Sequence, residues 1–134
     1  MLKLSRRVEY GIMAVQHIAR AQGSCVCTAK EISAAQHIPY ELVAKVLQSL
    51  TRGGIIVSQQ GVNGGYALAR RADAISIYSI ITAIEGNDPA LMPCVEGVDE
   101  CELEQLCNIK NPLMRIQSKI SGVFQAMTVA EISF

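Results

Sequence analysis

Between residues 28 and 68 the chain carries a run of punctuation signals in an order that few folds accommodate. Thr28 and Glu31 have the spacing of a capping box, which opens a short helix running to about Ala35. His37-Ile38-Pro39 breaks it, and Pro39 suits the opening of a second helix whose buried stripe is Leu42, Val43, Val46, Leu47 and Leu50. Gly53-Gly54 stops that helix, because glycine takes the left-handed cap conformation at low cost. Residues 55–59 and 66–69 then read as two strands joined through Gly61-Val62-Asn63-Gly64-Gly65, where Asn-Gly is a strong hairpin signal. Short helix, turn and longer helix make a helix-turn-helix, and a hairpin directly after the second helix makes it a winged helix.

The flanks extend this core. Leu4, Val8, Ile12, Val15, Ile18 and Ala19 recur at helical steps, so residues 5–21 are expected to form an amphipathic helix ahead of the motif. Residues 76–83 read as a further short helix closed by Gly86. Near the end, Asn111 is expected to cap a long helix with Pro112 at its first position. Apolar residues at 113, 116, 120, 123 and 127 give that helix a coiled-coil-like seam. Part of the seam is expected to pack on the chain's own first helix and part on a second copy, since dimers suit two-fold DNA sites. The fold class expected is mainly α with a small β-hairpin wing. A winged helix-turn-helix DNA-binding domain would occupy residues 1–86, a cysteine-containing loop 87–110, and a dimerisation helix and tail 111–134.

The formal charge of zero hides an asymmetry. Residues 1–75 hold nine Lys/Arg against four acids, whereas residues 76–134 hold three against eight. The basic half suits phosphate and the acidic half repels it. No apolar run approaches the length of a membrane span. The basic residues at the N-terminus are followed by no apolar signal region, so the expected compartment is the cytoplasm, where thiols stay reduced.

Within the acidic half lie Cys94, Cys101 and Cys107, separated by six and five residues. Structural zinc sites usually place two cysteines two to four residues apart, and this stretch has no such pair. On one straight helix Cys101 and Cys107 would stand ~9 Å apart along the axis and on different faces. Wide, irregular spacing fits an iron–sulfur cluster better than a single ion. Three thiolates leave one coordination position, open to a loop acid or to a carboxylate from elsewhere; Lys110 is a poor ligand. Cys25 and Cys27 read as structural or incidental, and His17 and His37 as surface or hydrogen-bonded histidines.

The exposed face and start of the second motif helix supply the expected DNA contacts: Tyr40, Glu41, Lys45 and Gln48. Ser5, Arg6, Arg7, Thr28 and Lys30 are expected at phosphates, and Gln60 and Asn63 of the wing at the minor groove of double-stranded operator DNA. Tyr66 reads either as a further contact or as a residue packed under the wing.

Taken together, Leu4 to Gly11, Ile38 to Leu42, the glycine wing through Leu68, Ala83 to Gly86 and the triple cysteine followed by Pro112 resemble the Rrf-type winged-helix transcription regulators. The resemblance covers the whole chain. It implies a homodimeric, cytoplasmic repressor whose Cys94, Cys101 and Cys107 hold an iron–sulfur cluster that senses redox, nitric oxide or iron–sulfur status. It also implies that the fourth ligand is an acidic residue of the first helix of the other subunit, and Glu9 occupies that position. A glutamate there favours the two-iron (2Fe-2S) over the four-iron (4Fe-4S) form. The chain departs from relatives at Lys110, where cluster-assembly members carry a histidine ligand, and at Gln60, where many carry arginine. The first cysteine gap is also one residue longer.

Two further readings stand beside this one: a cluster-free regulator sensing oxidants or sulfur compounds through its thiols, and an iron–sulfur electron carrier that never meets DNA. An enzyme is not expected, because no nucleophile–base pair, phosphate loop or paired catalytic carboxylates stand out.

Overall fold

The computed structural model describes residues 3–21, 26–87 and 106–134. Helix α1 spans Arg6–Arg20, with Ser5 as its N-cap accepting from the Val8 amide at 3.2 Å. Helix α2 spans Ala29–Gln36 and opens on the expected capping box, in which the Thr28 hydroxyl accepts from Glu31 N and the Glu31 carboxylate accepts from Thr28 N. His37 closes it in the left-handed conformation, φ 56°. Helix α3 spans Tyr40–Arg52 with Pro39 as its N-cap. Its two terminal glycines divide the work: Gly53 stays right-handed, and Gly54 takes the positive φ of 75°.

Strands β1 (Ile56–Gln59) and β2 (Gly65–Leu68) pair antiparallel, Ile56 with Leu68 and Gln59 with Gly65. The hairpin is the expected wing, and its connection is the glycine-rich loop 60–64. The positive φ falls on Gly61, and Gly64 N donates to Gly61 O at 3.0 Å. On its other edge β2 bonds Cys27, whose amide donates to Tyr66 O at 3.0 Å while its carbonyl accepts from Tyr66 N at 2.8 Å. A Cβ at Gly65 would lie 2.7 Å from the Cys27 carbonyl oxygen, so only glycine lets the wing approach this edge so closely.

A 3-10 turn at Ala72–Ala74 leads to α4 (Ile77–Glu85), capped by Ser76 at its start and by Gly86, φ 80°, at its end. Helix α5 spans Lys110–Ala126. It begins one residue before the expected cap: Ile109 is the N-cap and Asn111 lies inside the first turn, with Pro112 at the third helical position. Proline is tolerated there because the first amides of a helix lack intrahelical acceptors. A further helix among the described residues, α6 (Val129–Ser133), was not expected, although Thr128 and Glu131 repeat the capping box of Thr28 and Glu31.

Helix α1 packs on α3, α4 and α6, and α5 lies chiefly against α4. The expectation that the α5 seam packs on α1 is therefore corrected. The short α6 takes that place, with Gln16 Nε2 donating to Ile132 O at 2.6 Å and Arg20 Nε to Ser133 O at 3.1 Å. The core is aliphatic, built on Val15, Ile32, Leu47, Leu50, Ile75, Ile80 and Val129, each fully buried. Each such side chain contributes about 1.5–3 kcal/mol by leaving water. The protein is thus mainly helical with one two-stranded wing and a long C-terminal helix. Among the described residues no helix is long and apolar enough to cross a membrane.

Candidate nucleic-acid interface and cysteine centre

The amphipathic pattern of α3 turns Val43, Val46, Leu47 and Leu50 into the core. By the same periodicity Glu41, Lys45, Gln48 and Arg52 fall on one exposed face, four, three and four residues apart. Tyr40 is 51% exposed at the helix start. The expected DNA contacts of α3 are thus displayed to solvent, and Arg52 extends the same row. Arg52 escaped the sequence reading although the spacing Lys45, Gln48, Arg52 carried the signal.

Around this face the remaining expected contacts are distributed unevenly. Lys30 is exposed on α2, and Gln60 and Asn63 are exposed on the wing loop beside a fully exposed Val62. The Thr28 hydroxyl accepts within the capping box, which leaves its proton free to donate outward. Arg6 is exposed and lies 3.6 Å from Glu9. Ser5 and Arg7 also have partners inside the molecule. The Ser5 hydroxyl donates to the Glu85 carboxylate, and Arg7 Nη2 donates to Ile84 O at 3.3 Å. Both bonds end on the last turn of α4. Tyr66 is half-buried and packs against the core.

A depression of about 430 Å³ opens between α1 and α3. Arg7, Lys45 and Arg52 line it together with Tyr10, Gln48 and Ser49.

Two of the five cysteines, Cys27 and Cys107, lie among the described residues. Cys94, Cys101 and Cys25 lie outside the described residues. Cys107 is a half-buried thiol three residues ahead of α5, and Cys27, in no disulfide, is buried at 3% exposure beneath the wing. Glu9 is exposed in the first turn of α1, its side chain 49% accessible. Among the described residues no three His, Cys, Asp or Glu side chains converge. His17 Nδ1 lies 3.5 Å from Gln36 Nε2, and His37 serves as the α2 cap.

Comparison with known proteins agrees with this architecture. The model of the Rrf2 family, described as an iron-dependent transcriptional regulator, matches residues 4–133. The HTH-type transcriptional regulator IscR of Erwinia tasmaniensis is 26% identical over 132 residues, 98% of this chain and 78% of that protein. NsrR of Oceanobacillus iheyensis is 25% identical over 132 residues, covering 98% of this chain and 89% of that one. In three dimensions the chain is similar to CymR (YrzC), the global cysteine regulator of B. subtilis, with a TM-score of 0.78 and 23% identity. That match covers 99% of this chain and 97% of that one and bears on the fold alone. With its wing, its exposed α3 face and a family match across nearly its full length, the chain belongs to the Rrf2 family of helix-turn-helix transcriptional regulators.

Proposed function

We propose that this regulator is a DNA-binding homodimer, acting as a repressor, whose hold on operator DNA is controlled by an iron–sulfur cluster on Cys94, Cys101, Cys107 and Glu9. The observation that carries the reading is a join between two parts of the chain. Residues 87–110 follow directly on α4, and the last turn of α4 is bonded to Ser5 and Arg7 at the start of α1. Helix α1 bears Glu9 and packs on α3, so events at the root of the cysteine stretch and at the recognition face bear on one helix.

Three thiolates and a carboxylate form a donor set suited to iron. Cys107 and Glu9 keep accessible side chains in keeping with that role. A bound cluster would supply a centre responsive to oxidants, nitric oxide or iron–sulfur status. The 2Fe-2S form is proposed over 4Fe-4S on the strength of the glutamate. In the proposed dimer Glu9 serves the cysteines of the partner subunit, and α5 supplies the contact. Its seam leaves Ile116, Val123 and Met127 at 46%, 63% and 43% exposure in the single chain.

Anaerobic purification, a visible absorption spectrum and counts of iron and acid-labile sulfide test the cluster. A coloured protein with matching iron and sulfide is expected, and a Cys107→Ser variant should be colourless. Wild-type protein that stays colourless after reconstitution would retire the cluster and leave a thiol-based regulator.

A further inference from the structure

Among the described residues, the depression between α1 and α3 is lined by Arg7, Lys45 and Arg52 and by no carboxylate. Two of its features go beyond an exposed basic surface. Arg52 Nη2 donates to Ser49 Oγ at 3.4 Å, and that hydroxyl, on a residue only 4% exposed, donates in turn to Lys45 O at 3.3 Å. A buried serine therefore ties the Arg52 guanidinium back along α3 toward Lys45. On the opposite wall, the bond from Arg7 to Ile84 O holds a second guanidinium against the end of α4. The cations are thus supported from both helices, and Gln48 and Tyr10 add neutral hydrogen-bonding groups beside them.

We propose that this depression is the seat of one backbone phosphate of bound DNA, with Arg52 as its principal ligand, Lys45 and Arg7 flanking it, and Ser49 as the positioning residue. The proposal rests on the DNA-binding reading and adds to it a residue and a contact class. A guanidinium presents a fixed fork of donors to a phosphate, and here three cations share one concavity. Such a contact is blind to sequence, so it should contribute affinity and register but no base preference.

The test is a sodium chloride titration of affinity, using the full-length dimer with a duplex from its own upstream region and a scrambled duplex of equal length. Arg52→Gln is expected to weaken both duplexes by a similar factor, roughly three- to tenfold, and to reduce the salt slope by about one. Ser49→Ala should shift both quantities the same way but less. Arg52 is exposed, so circular dichroism and thermal unfolding should match wild type in the glutamine variant. Unchanged affinity and slope in Arg52→Gln, with Lys45→Ala still weakening binding, would overturn the seat and leave the DNA-binding reading standing. A loss confined to the cognate duplex would overturn it too, by assigning Arg52 to base reading. If Arg52→Gln abolished a saturable site for inorganic phosphate without changing the DNA slope, the seat would belong to a free anion instead. Failure of the wild-type dimer to bind either duplex would remove both readings together.

Discussion

The Ser5 hydroxyl donates to the Glu85 carboxylate, bonding the N-cap of α1 to the last residue of α4. Ser5 also accepts from Val8 N, so one side chain ends one helix and ties it to another. Ser5→Ala removes both interactions. The expected loss is about 1 kcal/mol of unfolding free energy from the cap alone, and Ser5→Asn should recover most of it. Urea denaturation measures this directly; an alanine variant as stable as wild type would show that Ser5 does not hold the start of α1.

Gly53 and Gly54 end α3 for different physical reasons. A Cβ on Gly53 would lie 2.5 Å from the Cβ of Ala83 on α4 and 3.3 Å from its Cα, and neither atom belongs to a flexible side chain. Gly53→Ala is therefore expected to cost about 1–3 kcal/mol by overpacking the α3–α4 contact. Gly54 has open space around it but φ of 75°, so Gly54→Ala should cost only the left-handed penalty, about 1–2 kcal/mol. A Gly53→Ala variant as stable as wild type, in the same urea series, would contradict the tight α3–α4 approach.

Glu41 and Lys45 share the exposed face of α3 but should act differently on DNA. A carboxylate at the helix start can accept from the cytosine amino group, and a good base contact discriminates by about 1–3 kcal/mol. Glu41→Ala is expected to narrow the gap between cognate and substituted duplexes. Lys45→Ala should weaken all duplexes alike. Competition binding over a set of single-base variants separates the two, and an unaltered preference in Glu41→Ala would remove it from the base-reading set.

The exposed seam of α5 predicts the assembly state. Ile116→Glu and Val123→Glu place charges on residues already accessible in the single chain, so the fold should survive. Both are expected to shift sedimentation from dimer to monomer and to weaken operator binding, because a two-fold site then loses one half of its protein. Variants that sediment as wild type would place the interface elsewhere.

The motif was legible because its signals are local. Thr28 with Glu31, Pro39, Gly53-Gly54 and the glycine wing each dictate backbone within a few residues, and each falls at an element boundary in the structure. What the sequence did not disclose depends on tertiary partners. Asn111 has the chemistry of a cap, yet α5 starts ahead of it. The apolar seam of α5 could have met α1, but α6 occupies that side, starting from a capping box readable in Thr128 and Glu131. Ser5 and Arg7 read simply as phosphate-facing residues; their bonds to Glu85 and Ile84 span the whole winged helix and leave no local trace. Arg52 was visible in spacing, but its alignment through Ser49 was not.

The most direct test of the central claim compares the DNA affinity of anaerobically purified, cluster-loaded dimer with that of the same preparation after iron chelation. Fluorescence anisotropy on a duplex from the protein's own upstream region, at one fixed salt concentration, reads both states. The account predicts affinities differing by roughly 5- to 150-fold, the usual range for coupled sites. It also predicts that Cys107→Ser binds as the chelated form does. Equal affinities of the loaded and chelated dimers would contradict control by a cluster, whatever the colour of the protein.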